Sequence, residues 1–354
     1  MVDLIKEIKS KVVIIAEVGC NHNGDMDVAK QLINIAADCG ANAVKFQSFV
    51  PENMITTHSP KADYQIRATG TGESQYDRLC RMKVSEEDHE MLVEYCRNKN
   101  ITFFSAPFDE TSADLLRKLE VPFFKIPSGE ITNLPLIKHV ASFGNPMILS
   151  TGMANLDEIE DALSVVGDDK KGNIILMHCL SDYPAKWEEA NLRAIQTIRD
   201  AFHLPVGFSD HTEGIELSLV AVGLGAVIIE KHITLDKNME GGDHKASLEP
   251  HGFKEMVGKI RRLEIALGDG IKKCMPSEEN VKKIARKSIV AAKSINKGDV
   301  IRKNDLAIKR PGTGIQPKFL SKVINSRAKE NISSDQPISW SQLDLENNDY
   351  LNTE

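Results

Sequence analysis

The sequence has no apolar run approaching the roughly 20 residues needed to cross a bilayer as a helix. Its six cysteines (Cys20, Cys39, Cys80, Cys96, Cys179 and Cys274) nowhere form a C-x-x-C pair. That spacing argues against a zinc ribbon or a dithiol redox motif, and for reduced thiols. No basic block is present. The net charge of −7 is spread along all 354 residues, so neither nucleic acid nor an anionic membrane surface is an expected partner. G-x-G-x-x-G and Walker-type loops are missing, which argues against a nucleotide ligand. The opening MVDLIKEIKSKVV carries charges where a secretory signal needs an unbroken apolar core, so the expected compartment is the cytoplasm. There is no internal repeat.

What is present is an alternation. Short runs rich in Val, Ile and Phe occur at 12–19, 41–49, 101–108, 123–129, 146–153, 174–179, 206–211 and 226–234, with helical-period segments between most of them. A last helix follows at HGFKEMVGKIRRLEIALG. Eight such units in about 260 residues match an α/β fold of the (β/α)8 TIM-barrel kind, although a doubly wound open sheet gives the same alternation. Nearly every run ends in a polar residue: Glu17, Lys45 and Gln47, Ser105, Lys125 and Ser128, Ser150, His178, Ser209 and His211, Lys231 and His232. Converging strand ends favour the barrel, whose C-terminal mouth gathers such residues.

Residues 50–85 interrupt the count with a long polar insertion, read as a lid over the mouth. Beyond Gly268 the composition turns polar and then strand-like with Gly and Pro punctuation. The expected organisation is a catalytic barrel over 1–268, a linker over 269–284, a small β-rich domain over 285–345 and a frayed tail over 346–354.

Among the polar strand ends, His211 and His232 terminate consecutive runs and would stand about 5 Å apart by strand spacing. A lone histidine there is usually structural. Two facing one mouth suit a divalent metal, with Asp210, Asp243 or Glu17 as nearby oxygen donors. Lys45 and Lys125 interrupt apolar strands, where an unpaired ammonium would be costly. They either pair with an internal carboxylate or, together with Ser128, Ser150 and Ser209, form a pocket for a small phosphate- or carboxylate-bearing anion. The loop NMEGGDH (238–244), as a bare string, is only a turn.

Taken together, IIAEVGCNHNGDMDVAKQLI, NAVKFQSF, KADYQIRATGTGESQ, FKIPSGEITNLPLI, ILSTGM, GFSDHTEG, EKHITLDK, GGDHKASLEP and KRPGTG resemble the N-acetylneuraminate (sialic acid) synthase family. The likeness runs from about residue 12 to 340 and is greatest to the bacterial sialic and legionaminic acid synthases. It implies a barrel followed by an antifreeze-like (SAF) domain. It also implies condensation of phosphoenolpyruvate with an unphosphorylated N-acetylmannosamine-type sugar, giving a nine-carbon 2-keto acid and phosphate. The resemblance further implies a divalent metal (Mn²⁺ or Mg²⁺) on His211 and His232. Phosphoenolpyruvate contacts fall on Lys45, Lys125, Ser128, Ser150 and Ser209. Sugar contacts fall on Gln47, Tyr183 and Asp243, and on Arg310 from the other subunit of a domain-swapped homodimer. Glu17, or else Glu130, would handle the reacting water and its proton.

Three departures stand out. Ala106 replaces a common Thr, Leu180-Ser181 follows HC where Asn or Thr can occur, and the KRPG stretch favours an unphosphorylated sugar. A 2,4-diacetamido-2,4,6-trideoxymannose (giving legionaminate) and, more distantly, the pseudaminate precursor are the alternative substrates. From other classes, a metal-dependent barrel aldolase or isomerase and a non-catalytic sugar-binding protein remain open.

Overall fold

In the computed structural model, which describes residues 3–345, eight parallel strands run in the order β3-β2-β1-β8-β7-β6-β5-β4. They are β1 (Val13–Gly19), β2 (Ala43–Ser48), β3 (Thr102–Pro107), β4 (Phe124–Ile126), β5 (Met147–Ser150), β6 (Ile174–Cys179), β7 (Val206–Asp210) and β8 (Ile228–His232). Pairing of β1 with both β2 and β8 decides between the two folds left open by the alternation. It joins first strand to last, and β3 and β4 then lie side by side at the remaining seam. At that seam the Phe104 and Phe123 rings sit 4.4 Å apart. The result is a nearly closed (β/α)8 barrel.

Local chemistry starts the surrounding helices. Asp25, Ser85, Asp109, Asn133 and Asn155 each cap a helix N-terminus with a side-chain oxygen, satisfying amides that the first turn leaves unpaired. The last barrel helix, Pro250–Leu267, starts on proline and stops at Gly268, whose φ of +63° favours a residue without Cβ.

Strand periodicity then sorts the side chains. Ile14, Ala16, Val44, Phe46, Phe124, Leu149 and Ile229 face the helices in the larger core. Val13, Ile15, Ala43, Phe104, Ile148, Ile175, Met177 and Ile228 form a second apolar cluster inside the barrel. Two residues further along most of these inner columns the residues turn polar, and that layer is the mouth. The N-terminal helix Leu4–Glu7, capped by Asp3, adds Leu4 to the inner cluster. Ile5 and Ile8 of the same opening segment pack against that cluster.

The insertion forms three short helices, Pro51–Met54, Asp63–Thr69 and Gln75–Met82. A second unit, Asp269–Glu354, is separate by its contacts. It contains the antiparallel pairs β9 (Ser288–Ala291) with β10 (Leu306–Lys309), and β11 (Arg327–Ala328) with β12 (Leu343–Asp344). Its own core includes Ile289, Ile295, Ile301, Ile315, Val323 and Ile338. The tail expected over 346–354 lies outside the described residues. No helix among the described residues is long and apolar enough to cross a membrane.

Because Leu4 is only 1% exposed, Leu4→Ala should cost about 2–4 kcal/mol, as other buried leucine truncations do. Urea denaturation monitored by circular dichroism measures it.

Candidate active site at the barrel mouth

Continuing the inner columns by two residues places Glu17 above Ile15, Lys45 above Ala43, Ser150 above Ile148, Cys179 above Met177 and Glu230 above Ile228, with Lys125 inward on β4. These residues line a cavity of about 320 Å³. At its base Lys45 Nζ lies 3.3 Å from Glu17 Oε2 and 3.1 Å from Glu230 Oε1, and Lys125 Nζ lies 2.7 Å from Glu230 Oε2. Ser209 Oγ donates to Glu230 Oε1 at 3.0 Å, and Gln47 Nε2 donates to Glu17 Oε1 at 3.4 Å. The lysines thus satisfy both sequence readings: they pair with internal carboxylates and they line the pocket.

The charge states differ across this network. Burial opposes ionisation of Glu230, but Lys125 and Lys45 outweigh it and hold the carboxyl well below its usual range. Burial also opposes the charge on Lys45, where Glu17 and Glu230 prevail and raise it above an ordinary lysine. For Glu17, burial wins over the attraction of Lys45, and its carboxyl is pushed up to about 8. Lys125 is lowered by burial, with Glu230 opposing the shift.

The histidines occupy the adjoining wall. Their ring centroids are 5.4 Å apart, and the Tyr183 ring stacks on His211 at 4.2 Å. The Nδ1 of His211 bonds the Leu180 carbonyl, and its Nε2 lies 3.1 Å from Ser209 Oγ. The buried Nδ1 of His232 has no hydrogen-bond partner, with Asp243 Oδ2 still 3.9 Å away. Burial lowers His211 to about 4 and His232 well below the ordinary value. Two neutral imidazoles, one with an orphaned nitrogen, fit a divalent cation as donors. Among the described residues no cluster of three or more His, Cys, Asp or Glu side chains is arranged to hold an ion, so the pair fits an open site that water or substrate would complete.

Ser128 follows β4 on the turn Ser128–Glu130. Its hydroxyl accepts from the Gly152 amide at 3.2 Å and lies 3.0 Å from Cys179 Sγ. A Cβ on Gly152 would come within 2.6 Å of Ser181 Oγ and 2.7 Å of Ser128 Oγ, so only glycine fits this hydroxyl cradle. Ser181 itself lines the cavity.

Parity also corrects several expectations. Asp210, Lys231, His178 and Ser105 point away from the mouth. Asp210 accepts from Thr212 and Ser218 and pairs with Lys231 at 3.2 Å, which removes it as an oxygen donor to a metal. His178 Nε2 bonds the Ala190 carbonyl at 2.8 Å. The Ser105 hydroxyl lies 2.7 Å from that of Ser48. Glu130 is not among the residues lining the cavity, and its carboxylate accepts from Asn133 at 2.7 Å. Ala106 is buried in β3 beside Gln47. Arg310 lies in the second unit, exposed, before the cis bond to Pro311.

Sequence reasoning missed Glu230, although its column is shared with His232 and the alternation in IIEKH contains that signal. The KADYQ stretch, with Tyr64 and Gln65, reads as shaping the choice of sugar, but Met54, Gln75, Arg78 and Leu79 were passed over; all six line the cavity. Tyr64 meets Tyr183 with ring centroids 5.0 Å apart. Nothing in a polar insertion marks which of its residues turn inward.

The buried histidines make stability depend on pH. Their folded values are depressed, so they contribute stability above about 6.5 that is lost as pH falls through their folded values. Denaturation curves from pH 7 down to 4.5 should show stability falling, and His211→Gln with His232→Gln should flatten that slope.

The chain matches the NeuB family over residues 32–272 and an SAF domain over 286–344. It is 51% identical to N,N'-diacetyllegionaminic acid synthase of Campylobacter jejuni, covering 91% of this chain and 98% of that one. It is 44% identical to the enzyme of the same name from Legionella pneumophila, covering 94% of each. The crystal structure of N-acetylneuraminic acid (sialic acid) synthetase from Leptospira borgpetersenii superposes with a TM-score of 0.68 at 37% identity, covering 77% of this chain and 90% of that one. With most of the barrel and the β-rich second unit each matched, the chain belongs to the NeuB family.

Proposed function

We propose that this chain condenses phosphoenolpyruvate with an N-acetylmannosamine-type sugar and water, forming a nine-carbon 2-keto sugar acid and phosphate. The observation that carries this reading is the make-up of one cavity. Two lysines with Ser128, Ser150 and Ser209 line it together with two neutral imidazoles, Gln47, Tyr183 and Asp243. The first group suits the phosphate and carboxylate of phosphoenolpyruvate, the second a polyhydroxylated aldehyde.

In the reaction, C3 of phosphoenolpyruvate attacks the aldehyde carbon and a C–C bond forms. Water then adds to C2, and the C2–O bond to phosphate breaks. The lysines and serines orient phosphoenolpyruvate and take up its negative charge. Glu17, with its carboxyl held near 8 by burial, keeps its proton at neutral pH, can deliver it to the oxygen of the former aldehyde, and then recovers one from the water that adds to C2. His211 and His232 would hold a Mn²⁺ or Mg²⁺ ion, which supplies Lewis-acid polarisation of that oxygen when bound. Arg310 enters as a sugar contact supplied by a second copy, making a homodimer the functional unit.

The sugar itself has two forms in contention. The C. jejuni and L. pneumophila relatives carry the legionaminate name, which supports a 2,4-diacetamido-2,4,6-trideoxymannose over N-acetylmannosamine.

Phosphate release from phosphoenolpyruvate with Mn²⁺ should require a sugar of this class and stop on chelation. His232→Gln should lower kcat on the order of 10³-fold. Phosphoenolpyruvate-independent sugar cleavage would instead support an aldolase, and metal-independent sugar binding without turnover a binding protein. Mixing inactive Arg310→Ala and His232→Gln proteins should restore activity in mixed dimers, because one intact site forms. No gain on mixing would place Arg310 outside the partner's site.

A further inference from the structure

We infer that Gln75 and Arg78 form a subsite for a second N-acyl group, so that the sugar carries two acetamido substituents; this rests on the condensation proposed above. Both residues sit on the helix Gln75–Met82, whose N-cap Ser74 accepts from the Asp77 amide at 3.0 Å. At i and i+3 they share one helix face, and both line the cavity.

Each presents an unmet hydrogen-bonding group. Arg78 is only 4% exposed, and its buried Nε has no partner. The buried Oε1 of Gln75 has none either. Leaving a buried donor or acceptor unpaired costs about 1–3 kcal/mol, and such orphans at a cavity wall mark places a ligand completes. One is a donor and the other an acceptor. A secondary amide presents the complementary pair, its carbonyl for Arg78 and its N–H for Gln75. Side chains three residues apart on a helix are separated by about 5–6 Å at Cβ, which suits a group whose donor and acceptor are different atoms better than a lone hydroxyl. Leu79, Met54 and Phe108 line the same cavity and belong to one apolar cluster, giving the acyl methyl an apolar surface.

The position is at the sugar side. A Cβ on Gly242, next to Asp243, would lie 3.7 Å from Arg78 Nη2 and 3.4 Å from Tyr64 Cε2. A sugar phosphate fits worse. It would find one guanidinium beside the Asp243 carboxylate and would leave the Gln75 oxygen unpaired.

The test compares kcat/KM for 2,4-diacetamido-2,4,6-trideoxymannose and for N-acetylmannosamine, by phosphate release from phosphoenolpyruvate with Mn²⁺. Wild-type protein should favour the diacetamido sugar. In Arg78→Met that preference should fall by roughly 10- to 100-fold, mostly through KM, as expected for loss of a charge-assisted hydrogen bond. Arg78→Lys, which keeps the charge and loses the fork, should fall between. Gln75→Leu should reduce the same ratio independently. Circular dichroism checks that each variant is folded; should Arg78→Met fail to fold, Gln75→Leu and Arg78→Lys decide. An unchanged ratio in folded variants overturns the inference, as does wild-type preference for N-acetylmannosamine or its 6-phosphate, while the condensation stands. Silence with every sugar overturns the condensation and the inference together.

Discussion

The mouth of this barrel depends on Glu230. Two lysine side chains inside a barrel, 5% and 1% exposed, are not tolerated as cations without a nearby anion. Glu230 bridges them, one carboxylate oxygen to each ammonium. The geometry resembles a buried ion-pair triad, in which the pairing offsets desolvation and adds little net stability. Its consequence is functional. Two lysine side chains are held in place, facing a cavity. Ser209 connects this triad to the histidine wall, since its hydroxyl contacts both Glu230 and His211.

The ring and its mouth were legible in the sequence because alternation and polar strand ends are strong signals. The barrel was favoured over the open sheet on convergence alone, and the β1–β8 ladder is the observation that decides it. The errors share one cause. Asp210, Lys231, His178 and Ser105 were counted by proximity to a strand end, when the period of two decides which face a residue takes. Applying that period to IIEKH separates Glu230 and His232, facing in, from Lys231, facing the helices. The same rule read across β1, β2 and β7 keeps Glu17, Lys45, Gln47 and Ser209 at the mouth.

The insertion was legible as a lid over the mouth, but most of the residues it turns inward were not. Its three short helices have no apolar stripe long enough to announce an inward face, and beside Met54 and Leu79 its inward residues are Tyr, Gln and Arg, which look like any solvated surface. Burial of Arg78 and the orphaned atoms beside it exist only once the helices are placed against the mouth. The cavity is therefore lined in part by the segment that sequence reads least well, and in part by strand ends that it reads well.

Two environments about one side chain apart give the cavity its division of labour. At the base, opposite charges are close enough to overcome burial, so Glu230 and Lys45 remain ionised. On the wall, His211 and His232 have no such compensation strong enough, and burial leaves them neutral. Glu17 lies between: it contacts Lys45, pairs in register with His232, and burial prevails over its lysine partner. A fully ionised mouth would repel an anionic substrate from its carboxylates, and a fully neutral one would fail to attract it. The arrangement in between suits an anion at its lysines, leaves a free imidazole nitrogen on the wall, and keeps an exchangeable proton on Glu17.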